Sequence, residues 1–154
     1  DFGNLDVDQR IVANVDVFQA PVNHISVYNG TMFAAMAEFI FDFPFDSASA
    51  SFGEEAQAFE GHEDFIRGVH NLDDDTLLTV SDDGTGIEWS VARHEPIKRY
   101  AMHGAQIMAS EIQYVDGQPN MLITGCEDGT VRCWKLPLSE NVEANGNNNG
   151  NCDC

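Results

Sequence analysis

The strongest constraint on this chain is that it repeats itself. The stretch Leu77-Leu78-Thr79-Val80-Ser81-Asp82-Asp83-Gly84-Thr85-Gly86-Ile87-Glu88-Trp89 aligns without a gap, 45 residues on, with Leu122-Ile123-Thr124-Gly125-Cys126-Glu127-Asp128-Gly129-Thr130-Val131-Arg132-Cys133-Trp134. Leu, Thr, Asp, Gly, Thr and Trp fall at the same offsets. Self-similarity at this period signals an array of like structural units, each unable to bury its apolar face alone. Each copy reads as a strand, an Asp-Gly turn and a second strand. Asp-Gly suits a tight hairpin because both residues tolerate positive φ. Another 45 residues upstream, Thr31-Met32-Phe33-Ala34-Ala35-Met36 falls on Thr76 to Ser81, but there the Asp-Gly turn and the Trp are missing.

The remaining chain is short apolar runs broken by Gly, Asp and Asn, with no sustained helical periodicity, so the expected class is all-β. Strands are expected near 11–18, 22–28, 31–36, 39–45, 56–60, 65–71, 76–81, 86–91, 97–101, 107–114, 121–126 and 130–136. From Glu140 the chain is dominated by Asn and Gly, with almost nothing apolar to bury, and reads as a flexible tail.

Spacing and motif together resemble the WD40 repeat. Gly61-His62 precedes the second copy, Ser81 and Asp83 stand at its hairpin, and Trp89 closes its second strand. The third copy has Asp128 and Trp134, Cys126 where Ser stands in the second, and His103-Gly104 in reversed order. The resemblance implies a partial β-propeller of about three four-stranded blades. It divides the chain into an extension with one outer strand (1–21), a degenerate blade (22–60), a blade (61–102), a blade lacking its outer strand (103–139) and the tail (140–154). It also implies that His62, Ser81, Asp83 and Trp89 brace one blade through hydrogen bonds, and that His103, Asp128 and Trp134 form a partial set in the next. Val22-Asn23-His24-Ile25-Ser26-Val27, Met32-Phe33-Ala34, His103-Gly104 and Asp128-Gly129-Thr130-Val131-Arg132 with Leu136-Pro137 are further similar to a plant and algal group that joins a CCCH zinc finger to a propeller. The finger is absent from this sequence.

Propellers usually close with about four to eight blades. Three blades leave sheet faces and edges open. A longer chain, a second copy or a partner would each cover them, and the non-Met start favours a piece of a longer chain.

Charge narrows the partners. The chain has 154 residues, 26 acidic and seven basic side chains, and a formal net charge of −19. Binding nucleic acid needs clustered Lys and Arg to displace counterions, so direct nucleic-acid binding is not expected; partners are expected to be proteins with basic surfaces. No run approaches the roughly 18 apolar residues of a membrane span. The one basic stretch, Arg93 to Arg99 with Tyr100 after it, offers Arg93, Lys98, Arg99 and Tyr100 as partner contacts. It equally suits an edge strand protected by charge and Pro96. Phe39, Phe41 and Phe43 alternate with Ile40 and Asp42, and are expected to divide between blade core and partner contact.

His62, Asp83 and Ser81 are also the residue types of a Ser-His-Asp nucleophile set. A related set recurs at the 45-residue period, and no nucleophile elbow is visible. Bracing is therefore expected, and no enzyme activity. Asp73-Asp74-Asp75 with Asp82-Asp83 has oxygen ligands for a divalent cation, but no calcium-loop spacing, and reads as a solvated turn. Cys152 and Cys154 are two thiols without a second pair, so no metal or cofactor is expected. Asn29-Gly30-Thr31 matches a glycosylation acceptor, yet Asn-Gly stands where the repeat needs a turn. Four cysteines without a disulfide framework, and no visible signal segment, suggest an intracellular reducing compartment, cytoplasmic or nuclear, or an organelle after processing. The expected function is a non-catalytic protein–protein interaction scaffold within a larger assembly. The alternative is an RNA-associated regulator whose RNA contact lies outside this chain.

Overall fold

The computed structural model describes residues 20–53 and 57–139. These residues form three antiparallel sheets and no helix, so none among them is long and apolar enough to cross a membrane. The first sheet holds β1 (Val22–Tyr28), β2 (Thr31–Met36), β3 (Phe39–Asp46) and β5 (Gln57–Glu60), in that order, with a two-residue strand β4 (Ser51–Phe52) pairing the end of β3. The second runs β6 (Ile66–Asn71), β7 (Thr76–Ser81), β8 (Thr85–Ser90), β9 (Glu95–Ala101). The third runs β10 (Ile107–Val115), β11 (Gln118–Cys126), β12 (Val131–Lys135). The all-β architecture of about three blades is as the repeat implies. The strand expected at 11–18 and the tail from 140 lie outside the described residues, and β4 was not anticipated.

Strand registers show what the repeat preserves. Leu77 pairs with Trp89 and Leu122 with Trp134. In the first sheet Met32 pairs with Phe43, so Phe43 holds the Trp position. Its hairpin is also tighter: Ala37 (φ 51°) and Glu38 replace the longer Asp-Gly turns. The third sheet departs differently. Ile66 pairs with Ser81, 15 residues on, whereas Ile107 pairs with Cys126, 19 residues on. Four extra residues lengthen the β10–β11 hairpin, which turns at Asp116-Gly117 with both φ values positive. This is why His103 follows His62 by 41 residues while Trp134 follows Trp89 by 45.

The sheets stack face to face. Phe33, Ala35, Ile40 and Phe59 of the first meet Ile66, Val69, Leu77, Ile87 and Trp89 of the second. On the second sheet's other face Leu78, Val80, Tyr100 and Met102 meet Ile107, Ile112, Leu122, Leu136 and Leu138. Successive residues Leu77 and Leu78 therefore serve opposite cores. A strand buried on both faces reads as a continuous apolar run instead of an alternation, which accounts for Thr76-Leu77-Leu78-Thr79-Val80-Ser81. β11 is covered on one face only, and its burial alternates from Leu122 to Cys126.

The innermost strands β1, β6 and β10 lie side by side and are joined by polar contacts. Ser26 donates to the Asn71 side chain at 3.0 Å, the backbone N–H of Val69 donates to His24 Nδ1 at 3.2 Å, and His70 Nε2 meets the Ser110 hydroxyl at 2.7 Å. Gly68 makes the last approach possible, because a Cβ there would lie 2.0 Å from Ser110 Oγ. Burial, and then the neighbouring His24, push His70 down to about 4. Burial also lowers His24, against a smaller opposite pull from Glu111.

Candidate functional site

The second sheet contains one continuous polar chain through its core. Trp89 Nε1–H donates to Thr79 Oγ1 at 2.8 Å. Thr79 Oγ1 lies 2.7 Å from His62 Nε2, and His62 Nδ1 lies 2.8 Å from Asp83 Oδ2. The carboxylate accepts, so Nδ1 carries the proton, Nε2 accepts, and the Thr79 hydroxyl donates to it. Each donor points the same way from Trp89 to Asp83.

Local sequence sets this chain's ends. Asp83 sits in the β7–β8 turn, where its Oδ1 accepts from the Thr85 backbone (2.8 Å) and hydroxyl (2.6 Å), and its Oδ2 also accepts from the Glu63 backbone (3.0 Å). Burial by itself would raise this carboxyl. The bonds from His62, Thr85 and Glu63 outweigh burial and hold it well below the usual carboxylate range. Gly84 (φ 79°) lets the turn dock on the chain entering the third sheet: its carbonyl accepts from the backbones of Met102 and His103, and a Cβ there would fall 2.6 Å from the His103 carbonyl oxygen. Trp89 meets Phe59 edge to face, centroids 5.8 Å apart.

Ser81, expected to belong to this set, stands beside it. Its hydroxyl donates to the Asp64 carbonyl and accepts from the Asp83 backbone. The linking oxygen belongs to Thr79, two residues earlier and on the same strand face. That signal was in the sequence, since Thr79 and Thr124 coincide in the repeat. His62, Thr79 and Asp83 do have the order of a nucleophile triad, but Thr79 is 0% exposed and its oxygen already serves two partners. A substrate cannot reach it.

In the third sheet the chain is cut short. Trp134 Nε1–H donates to Thr124 Oγ1 at 2.8 Å, and Thr124 meets His103 Nε2 at 2.7 Å. Asp128 does not complete it. Its Oδ1 accepts from the Thr130 backbone (2.9 Å) and hydroxyl (2.6 Å), while His103 Nδ1 is buried with no hydrogen-bond partner. The Thr130 hydroxyl, the Thr130 backbone and the Cys126 thiol hold exposed Asp128 at about 2. In the first sheet Ala34 and Phe43 occupy the Thr and Trp positions, and the polar chain is replaced by packing. Phe43 meets Phe52 edge to face at 5.9 Å, beside Met32, Ala34, Phe41 and Phe45.

The contact candidates divide by exposure. Phe43 and Tyr100, expected as possible partner contacts, are buried at 2% and 5% exposure. Both point inward at their register positions, and Tyr100 belongs to the core between the second and third sheets. Phe39 and Phe41 are half-buried, with ring centroids 6.3 Å apart. Arg93 is exposed at the β8–β9 turn. Lys98 lies over the Tyr100 ring, and Arg99 donates to the Gly61 carbonyl and approaches Asp83 at 3.9 Å. Asp73 caps its own turn, accepting from the backbones of Asp75 and Thr76, and Asp74 accepts from Tyr28 and Asn29. Asn29 and Gly30 both take positive φ in the β1–β2 hairpin, as a two-residue turn requires. Cys152 and Cys154 lie outside the described residues.

Comparison with known proteins bears on the same geometry. The family described as "WD domain, G-beta repeat" matches residues 53–90 and 95–135, which is 79 of the 154 residues. Each matched stretch supplies the outer strand of one sheet, β5 or β9, and three strands of the next. A curated relative, the "DENN domain and WD repeat-containing protein SCD1" of Arabidopsis thaliana, is 34% identical over 83 residues, covering 54% of this chain. The chain spans only 7% of that relative's length. With the 45-residue period, the stacked antiparallel sheets and the His-Thr-Trp chains in place, the chain belongs to the WD40-repeat family.

Proposed function

We propose that this chain is a non-catalytic interaction module within a larger assembly, and that its acidic surface meets a basic protein surface. Membership of the WD40 family, whose repeats indicate a protein-interaction scaffold, supports the general role. The observation that carries the finer reading is how the cations are used. Arg67 binds Asp82 through two bonds of 2.8 and 2.6 Å, Arg99 binds Gly61, Arg132 binds the Met102 carbonyl, and Lys98 sits on Tyr100, while Arg93 and Lys135 are exposed. Meanwhile exposed Asp73, Glu95, Glu111, Asp116, Glu127 and Asp128 leave a negative field for a complementary partner. Uncovered sheet surface adds to this: among the described residues no strand pairs the far edge of β12, where Val131 is 71% exposed. The relative's name sets WD repeats beside a different domain, which supports a module carried in a larger polypeptide.

The test is retention by the purified chain of a Lys/Arg-rich peptide and of single-stranded RNA across rising salt. The expected result is salt-sensitive retention of the peptide and none of the RNA. RNA held in a salt-dependent way overturns the proposal and favours the RNA-associated alternative.

A further inference from the structure

The unfinished polar chain of the third sheet ends on a set of donors that the second sheet lacks. One ligand atom from each of His103, Cys126 and Asp128 lies within 4.8 Å of the others. We propose that these three residues form a zinc-binding site.

Of the His103 nitrogens, Nε2 is committed to Thr124, and Nδ1 is buried without a partner in a residue only 8% exposed. Leaving such a nitrogen unsatisfied is costly, and a cation would satisfy it. Cys126 is likewise 8% exposed and gives its thiol hydrogen to Asp128. Asp128 is exposed, which provides an entry path. Its Oδ1 accepts from Thr130, and the bond it receives from the Cys126 thiol would be given up as that thiol loses its proton.

An imidazole, a thiolate and a carboxylate suit borderline-soft Zn²⁺ better than Ca²⁺ or Mg²⁺. Bonds of about 2.0–2.3 Å place tetrahedral donors roughly 3.3–3.8 Å apart, so the set needs to contract by at most about 1.5 Å. The exposed Asp128 side chain supplies that movement. Water would take the fourth position. On binding, Cys126 loses its proton to solvent, and thiolate and carboxylate together offset the dication. His103 then keeps its proton on Nε2 and donates it to Thr124, whose oxygen also accepts from Trp134; such outer support orients a metal-binding imidazole.

The second sheet shows why the site occurs once among the described residues. Ser81 stands where Cys126 does, His62 Nδ1 is spent on Asp83, and Arg99 lies 3.9 Å from that carboxylate. The cation nearest the proposed site, Arg132, is turned onto the Met102 carbonyl. Burial first, and then Arg132, lower the His103 pKa, against a smaller opposite pull from Asp128.

The test titrates Co²⁺, then Zn²⁺, into the full chain carrying Cys133→Ser, Cys152→Ser and Cys154→Ser. Expected is one Co²⁺ per chain with a thiolate-to-metal charge-transfer band, displaced by Zn²⁺. Cys126→Ser should abolish the band, and Asp128→Asn should weaken Zn²⁺ by about tenfold or more, near the range of outer-sphere losses. Cys126→Ser copies the second sheet's own residue, and unchanged tryptophan fluorescence checks that it folds. No band in the parent, a band that survives Cys126→Ser, or equal affinity in Asp128→Asn overturns the proposal.

Discussion

Replacing Thr79 by Val asks one oxygen to account for the core of the second sheet. Valine keeps the shape and removes the hydroxyl. Two groups then lose their partner in a fully buried setting, the Trp89 Nε1–H and the His62 Nε2. An unsatisfied buried polar group costs about 1–3 kcal/mol. Two of them, less roughly 1 kcal/mol gained by burying a methyl in place of a hydroxyl, give a loss of about 1–5 kcal/mol. Thr79→Ser keeps the oxygen and sheds one methyl, so it should cost about 1 kcal/mol. Ser81→Ala removes two bonds outside the His62–Thr79–Trp89 chain, worth about 1–3 kcal/mol together. Thr124→Val should fall below Thr79→Val, because Trp134 is only half-buried while Trp89 is 0% exposed. Urea unfolding followed by tryptophan fluorescence measures all four, compared through their midpoints at unchanged slope. If Thr79→Val costs no more than Ser81→Ala, or Thr79→Ser costs as much as Thr79→Val, the reasoning fails.

Two other expectations concern the seam of innermost strands. His70 is held at about 4 against an unfolded value near 6.5, so its contribution is present above pH 6.5 and lost as the pH falls toward 4; the unfolding free energy from urea titrations across that range should drop by about 3 kcal/mol in the parent and distinctly less in His70→Gln. Gly68→Ala drives a methyl into Ser110 Oγ and should cost about 1–3 kcal/mol; adding Ser110→Ala should recover part of the loss, so simple additivity in the double variant would refute the contact.

How much of this was legible in the sequence varies by element. The second sheet was readable because its strand, Asp-Gly turn and Trp copy the third without a gap. The polar chain was nearly readable. Thr79 coincides with Thr124, but the family resemblance assigns the hydroxyl of the set to Ser81. The four-residue extension of the β10–β11 hairpin hid the correspondence of His103 with His62, since a fixed 45-residue shift carries His62 onto Ile107. The fate of Asp128 was not readable at all. Asp83 and Asp128 each bind, through Oδ1, the Thr two residues on, yet only Asp83 reaches its imidazole, so residue type and spacing alone do not tell the two apart. Burial of Tyr100 and Phe43 likewise depends on which side of each strand meets a neighbouring sheet. The His24–His70–Ser110 row was missed because three strands far apart in sequence bring it together.

The mismatch between the matched sequence stretches and the sheets has a consequence for how such a chain grows and breaks. The unit that repeats in sequence is not the unit that folds: β5 closes the first sheet yet runs straight into Gly61 and His62 of the second. A duplication of one such unit in the gene therefore never yields a free-standing sheet. It yields a lodger, whose first strand belongs to its neighbour. Sheets added in this way are inherited already fastened, and a cut at any repeat boundary takes a strand from one sheet and leaves another short.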